Sequence, residues 1–199
     1  MSLFTYFFAD CEFDGPTPGI NSMVSFGCVA HREDGKEIDK FERNLLPLDG
    51  AVTDARTMRW WSTQPDAWSY TQTNQVPAKS AMEDLVNWVR DLPGNVLFCA
   101  APLMGDGIWL DWYLKKFTDY RITMPQSNRP LFVGDGLDIM SYVQAVLGLA
   151  HTPIMKDLPT YLLTGVNHNH FAIDDARGHA KVFFNARRAR TKQLPAFVP

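Results

Sequence analysis

The chain has 199 residues, of which 46% are hydrophobic and 21% are charged, and its formal net charge at pH 7 is −3. This length and composition predict a single compact domain spanning residues 1–199, and they argue against a disordered or fibrous chain. Proteins that grip a long duplex through its phosphates are usually basic, so the acidic balance argues against a long duplex footprint but allows a short single strand.

The cysteines and the N-terminus indicate a cytoplasmic protein. Cys11, Cys28 and Cys99 are far apart and show no C-x-x-C spacing, which argues against a disulfide framework or a zinc knuckle. The apolar run at the N-terminus has no basic flank and is cut short by Asp10. We therefore expect neither a signal peptide nor contact with a membrane.

The first predicted elements are three strands. Residues 3–9 form an apolar and aromatic run that predicts a central strand, and residues 23–31 predict a second strand. Asp34 and Gly35 form a hairpin signal, and partial alternation over residues 38–47 predicts a third strand after it. The chain is therefore expected to open with an antiparallel meander.

The remainder of the chain alternates helices with short strands. The pattern predicts strands at 95–100 and around 131–133, a loop region at 151–168, and helices within 54–70 (stopped near Pro65) and at 78–92, 106–117, 137–148 and 171–190. A meander followed by strand–helix units predicts an α/β fold: a mixed five-stranded sheet, first antiparallel and then parallel, flanked by helices.

Carboxylates follow the predicted central strand. Asp10 and Glu12 are two residues apart, so on an extended strand both face the same side. Charge at a buried strand end is unfavourable unless a cation neutralises it. Asp106 comes after a later strand, and it reaches the same sheet edge if the two strands pair in parallel. The start of the final helix adds His170 and Asp175.

These residue types suit one kind of chemistry. Hard oxygen ligands select Mg²⁺ or Mn²⁺ rather than zinc. Two such ions, about 4 Å apart, can stabilise both the attacking and the leaving oxygen at phosphorus. A nearby imidazole can take the proton of the attacking water, since its pKa is close to neutral.

The same residues resemble the three motifs of the DEDDh 3′→5′ exonucleases, which have the ribonuclease-H-like fold. The resemblance spans about residues 5–190 and is nearest to the small stand-alone bacterial and phage exoribonucleases of the RNase AS and ribonuclease T types. Its motifs are Asp10-x-Glu12, Asp106 after a strand, and the pattern H-x-A-x-x-D-A formed by His170, Ala172, Asp175 and Ala176.

The resemblance implies a role for each motif residue. Two Mg²⁺ or Mn²⁺ ions would be held by Asp10, Glu12, Asp106 and Asp175. His170 would be the general base, and 5′-mononucleotides would leave one at a time from the 3′ end of a single-stranded RNA or DNA. Relatives of this kind are frequently dimers, so a homodimer is expected.

The second motif leaves a choice between two carboxylates, Asp106 and Asp111. We prefer Asp106, because the sequence WLDWYL after it resembles the body of the family's helix and Asp106 would begin that helix.

Four apolar side chains are candidates for substrate contact. Phe13 lies beside the predicted ligands and could stack on a terminal base, and Met23 could wedge against it; core packing is the alternative for both. Trp60 and Trp61 are adjacent, so on a helix at most one of them faces the protein core. The other is either a stacking platform or a dimer contact.

Neither a zinc site nor chemistry on any histidine other than His170 is expected. His168 and His170 could suggest a zinc site, but side chains two residues apart diverge on a helix. His31, His151 and His179 are expected at the surface.

The sequence therefore predicts a metal-dependent 3′→5′ exonuclease that acts on single strands, with RNA preferred over DNA. One alternative is a nucleic-acid-binding module with the same fold but no catalysis. The other is a phosphoesterase of short oligonucleotides, which would carry identical motifs and differ only in the shape of its pocket.

Overall fold

A mixed five-stranded sheet forms the centre of the protein. The computed structural model describes residues 3–122 and 131–193, with side chains described as far as residue 190. The spatial order of the strands is β3-β2-β1-β4-β5; the pairs within β1–β3 are antiparallel, and β4 and β5 continue the sheet in parallel. This confirms the predicted fold class. The strands are β1 (Phe4–Phe13), β2 (Met23–Arg32), β3 (Glu37–Asn44), β4 (Asn95–Ala100) and β5 (Leu137–Asp138).

Among the described residues six helices flank the sheet, and their order agrees with the predicted alternation. The helix expected before Pro65 is present, and a second one begins at Pro65, because the fixed backbone angle of proline suits the first helical position. The helices are α1 (Ala55–Trp61), α2 (Pro65–Thr71), α3 (Ala78–Asp91), α4 (Ile108–Phe117), α5 (Ile139–Leu147) and α6 (Ala172–Gln193), with a π-helical turn at Leu103–Gly107 and a 3-10 turn at Met155–Asp157.

The prediction of a strand around residues 131–133 is wrong. Leu131 and Phe132 are buried in the core, but the segment is irregular, and its tie to the sheet is a hydrogen bond from the Val133 amide to the Val96 carbonyl (2.9 Å). The fifth strand is the two-residue β5, Leu137–Asp138. The apolar run therefore lies in the core without forming a strand.

The sheet separates two apolar layers. Because side chains alternate along a strand, Phe7 and Ala9 of β1 pack into the layer of α3 and α4, whereas Phe8 packs into the layer of α5 and α6. Within the described part of the chain, no helix is both long and apolar enough to span a bilayer.

The first turn of helix α6 lies directly against Gly27 of β2. A Cβ atom at this position would overlap the backbone of Ala172 and Ile173 in the first turn of α6. The absence of a side chain at Gly27 therefore sets how closely the start of α6, with Asp175, lies against the sheet.

We expect Gly27→Ala to lower the free energy of unfolding by about 3 kcal/mol, the upper end of the usual cost of overpacking, because rigid backbone has to move. Denaturant unfolding measures this change. Gly178→Ala is the matched control on α6: its Cβ would meet the Val166 side chain at 3.2 Å, which can adjust, and we expect little change. Equal stability of Gly27→Ala and the parent protein would contradict this packing.

Candidate active site

Four carboxylates from three separate elements meet at one edge of the sheet. Asp10 and Glu12 lie near the end of β1, Asp106 lies on the π-helical turn after β4, and Asp175 lies in the first turn of α6. All four residues are buried, none exposing more than 9% of its surface. Asp10, Glu12 and Asp175 each offer an oxygen within 4.8 Å of those of the other two. Hereafter these four side chains are called the carboxylate cluster.

The parallel pairing of β1 with β4 explains why Asp106 joins the cluster. Phe8 lies opposite Cys99, so both strands run toward the same edge of the sheet. The π-helical turn then folds over the end of β1, where the Cys11 amide donates a hydrogen bond to Asp106 Oδ1 (3.3 Å). Two distant parts of the chain are thereby joined at the site.

Asp111, the alternative to Asp106, is engaged elsewhere. Its carboxylate pairs with the Arg121 guanidinium at 2.9 Å and accepts a hydrogen bond from the Ile122 amide at 2.6 Å. It therefore ties α4 to the segment that follows this helix. The structure brings Asp106, and not Asp111, next to Asp10.

The carboxylate cluster concentrates negative charge in a buried place. Burial first, and then the neighbouring carboxylates, raise the pKa values of Asp10 and Glu12 well above the usual range. Burial also raises the pKa of Asp106 to about 7, although the hydrogen bond from the Cys11 amide opposes this shift. In the described part of the chain, no lysine or arginine forms an ion pair with the cluster.

The cluster fits a divalent cation. Asp10 Oδ2 is buried and has no hydrogen-bond partner among the described residues, which is unfavourable for a carboxylate oxygen. A cation supplies both the missing partner and the missing positive charge. Because all four carboxylates of the cluster offer oxygens, Mg²⁺ or Mn²⁺ is the suitable kind of ion, although one imidazole, that of His179, also lies beside Asp10 and Asp106.

His170 lies at the rim of the cluster, on the loop before α6. Its Nδ1 is 3.9 Å from Glu12 Oε1, and its ring lies edge-on to Trp60, with the ring centres 4.8 Å apart. Its backbone is left-handed (φ 61°), which is uncommon for a residue other than glycine. Burial and the neighbouring His168 lower the pKa of His170, which favours the neutral ring that can accept a proton.

His179 is a site residue that the sequence analysis missed, since it was expected at the surface. It is buried; its Nδ1 lies 3.1 Å from the Ala9 carbonyl oxygen, and its Nε2 lies 3.8 Å from Asp10 Oδ1. The carbonyl contact assigns the ring proton to Nδ1 and turns Nε2 toward the cluster. The sequence does contain a signal for this position. His179 is four residues after Asp175, and residues four apart share a helix face, so the two side chains are expected on the same side of α6.

The surface prediction is also wrong for His31, whereas His151 is exposed as expected. His31 is buried between Phe8 and Phe184, and its Nδ1 lies 2.9 Å from the Gly35 carbonyl oxygen. It therefore fastens the β2–β3 hairpin and packs against α6.

The four candidates for substrate contact, three aromatic residues and one methionine, divide into a buried pair and an accessible pair. Met23 and Trp61 are buried in the core, where a bound strand cannot reach them, and the Trp61 indole donates a hydrogen bond to the Phe13 carbonyl (3.0 Å). Phe13 is partly buried and stacks on Trp109, with ring centres 4.7 Å apart. Trp60 is 39% exposed beside His170. Phe13 and Trp60 are thus the accessible pair.

The sequence matches no protein-family model and no curated protein. Solved structures nevertheless share its fold. The Mg²⁺- and Mn²⁺-bound form of Pop2p from S. pombe is similar with a TM-score of 0.67 and 15% identity, covering 92% of this chain and 82% of that one. The zinc-bound complex of E. coli exonuclease I with single-stranded DNA has a TM-score of 0.67 and 11% identity.

That second similarity covers 95% of this chain but only 41% of the exonuclease I chain. A 3′-exonuclease that recognises the 3′ end of a histone mRNA stem-loop is similar with a TM-score of 0.59 and 10% identity, covering 95% of this chain and 64% of that one. At these identities the similarity concerns the fold alone. The chain therefore has the ribonuclease-H-like fold, which it shares with an exonuclease solved in complex with single-stranded DNA and with a 3′-exonuclease that recognises a histone mRNA stem-loop.

Proposed function

We propose that this protein is a metal-dependent 3′→5′ exonuclease that hydrolyses phosphodiester bonds at the 3′ end of a single strand. The observation that carries the proposal is the carboxylate cluster itself, in which buried Asp10 Oδ2 has no hydrogen-bond partner among the described residues. Burying like charges together destabilises a fold unless a ligand of opposite charge compensates for it. The shared fold with exonucleases supports the same conclusion.

The proposal gives each polar residue of the site a role. Asp10, Glu12, Asp106 and Asp175 would hold two Mg²⁺ or Mn²⁺ ions, which when bound stabilise the charge that develops on the attacking and leaving oxygens. His170 takes the proton of the attacking water, and 5′-mononucleotides are released.

The proposed substrate is a single strand with an accessible 3′ end, RNA in preference to DNA. Phe13 follows Glu12 in β1 and is partly buried, and exposed Trp60 lies against His170; both offer aromatic surface on which bases can stack. One neighbour in fold recognises an mRNA end, which supports RNA, and another binds single-stranded DNA, which makes DNA the natural comparison.

We further propose that residues 1–199 act as one exonuclease domain in the cytoplasm. The three cysteines are buried and unpaired, as suits a reducing compartment. A homodimer stays a prediction.

The test is a cleavage assay on 5′-labelled single-stranded RNA and DNA of one sequence, with Mg²⁺, with Mn²⁺ and with EDTA. We expect a ladder that shortens from the 3′ end, is lost in EDTA, and is lost in Asp10→Ala. RNA should be degraded faster than DNA. Oligonucleotides of a few units, run alongside, test the phosphoesterase alternative. Cleavage of neither long strand under any condition would overturn the proposal.

A further inference from the structure

A second group of donor atoms lies at the rim of the carboxylate cluster. His168 Nδ1 is 3.0 Å from Asp175 Oδ2, and the rings of His168 and His170 lie with their centres 4.5 Å apart. One donor atom from each of these three residues lies within 4.8 Å of the other two. We call this group the His–His–Asp triad.

The convergence of the two histidines corrects the sequence-based expectation that they diverge. That expectation assumed a helix, but His168 and His170 lie on the loop before α6, and His170 has a left-handed backbone. The loop is wrapped around Asp175, whose oxygens accept hydrogen bonds from the amides of Asn169 (3.1 Å) and His170 (3.2 Å). These bonds orient the carboxylate and hold both rings on the same side.

The triad differs in chemistry from the carboxylate cluster. Two imidazoles and one carboxylate form the donor set of zinc sites, whereas Mg²⁺ prefers oxygen ligands. With bonds of about 2.0–2.1 Å, a tetrahedral zinc ion holds its ligand atoms roughly 3.3 Å apart. His168 Nδ1 and Asp175 Oδ2 are hydrogen-bonded at 3.0 Å, close to this separation, so an ion between them would replace that bond. The side chains of His168 and His170 are 54% and 23% exposed, so they can adjust.

We propose that His168, His170 and Asp175 form a site for a zinc-like transition-metal ion, which shares Asp175 with the proposed sites for Mg²⁺ or Mn²⁺ and adds two imidazoles to it. Each histidine binds as the neutral ring, with the proton on the nitrogen that does not face the metal. The amides of Asn169 and His170 support the carboxylate from behind, as hydrogen-bonding groups around zinc sites commonly do.

Occupation of this site would inhibit the enzyme. It would remove the lone pair of His170, the proposed general base, and draw Asp175 away from the carboxylate cluster. This consequence rests on the proposed function, whereas the existence of the site does not.

Binding tests the site independently of cleavage. Zn²⁺ is titrated by calorimetry into the full chain at saturating Mg²⁺, and Co²⁺ serves as a visible-absorption probe of tetrahedral nitrogen and oxygen ligation. We expect one zinc site, weakened at least about tenfold in His168→Gln. His151→Gln, at an exposed histidine outside the triad, is the matched control and should bind as the parent does.

Two results would overturn the proposal. One is unchanged zinc affinity in His168→Gln. The other is loss of the site in Asp106→Asn, which would place the metal in the carboxylate cluster. In the cleavage assay, half inhibition of the His168→Gln variant should need about tenfold more Zn²⁺ than half inhibition of the parent protein. Failure of all cleavage, with zinc binding intact, would count against the exonuclease proposal and leave the zinc site standing.

Discussion

Replacing Asp106 by asparagine is expected to slow metal-dependent cleavage strongly and, in EDTA, to raise the melting temperature. Asparagine has nearly the same shape and can still accept the hydrogen bond from the Cys11 amide, but it removes one of four buried like charges. Loss of a ligand should lower the cleavage rate by about 10²–10³, the usual effect of removing one major electrostatic group from an active site.

The thermal gain should depend on pH. Burial raises the pKa of Asp106 to about 7, so between its unfolded pKa of about 4 and this value the folded state binds more protons. Stability therefore falls as pH rises through this window. The advantage of Asp106→Asn in EDTA should be larger above pH 7 than near pH 5, as thermal unfolding at the two pH values would measure.

Asp111→Asn is the matched control for this prediction. Asp111 is only five residues after Asp106, but its carboxylate pairs with Arg121 outside the cluster. It should lower the melting temperature in EDTA and keep the stabilisation by Mg²⁺. If Asp106→Asn unfolds at a lower temperature than the parent in EDTA above pH 7, the carboxylates are not repelling one another, and the reason to place cations there is lost.

Replacing His170 by asparagine is expected to lower the cleavage rate by about 10²–10⁴, the usual contribution of general base catalysis. Asparagine is chosen because it tolerates the left-handed backbone at this position and has no basic nitrogen. The rise in melting temperature on adding Mg²⁺ should persist, because the four carboxylates are unchanged.

Single-turnover cleavage together with thermal unfolding separates the two effects. His151→Asn, at an exposed histidine, is the control for replacement of an imidazole as such. A parent-like cleavage rate in His170→Asn would remove this residue from the mechanism. Loss of the Mg²⁺ effect would instead assign it a part in holding the metal.

The sheet and the position of Asp10 and Glu12 could be predicted because each rests on a local pattern. The run before Asp10 is apolar enough for a central strand, and a spacing of two puts both carboxylates on one face. Asp106 was harder, because it depends on the parallel pairing of β1 with β4, and this pairing is not encoded at either position. The resemblance to a family, and not the spacing, favoured Asp106 over Asp111.

The errors share a cause, which is that burial does not determine conformation or neighbours. Leu131 and Phe132 are as apolar as strand residues, yet they reach the core from an irregular segment. β5 has two residues, too few for any periodic signal. For Met23 and for the pair of tryptophans the sequence left core packing open, and the packing itself shows that Met23 and Trp61 are core.

The three-way origin of the carboxylate cluster has a consequence for biosynthesis. Asp10 and Asp106 belong to the earlier part of the chain, but Asp175 is supplied by α6, which is held against β2 at Gly27. When the part of a nascent chain that follows β5 is still inside the ribosome, Asp10, Glu12 and Asp106 have emerged but Asp175 has not. The site can form only after α6 has emerged and docked, so a partly synthesised chain would not yet have the complete carboxylate cluster.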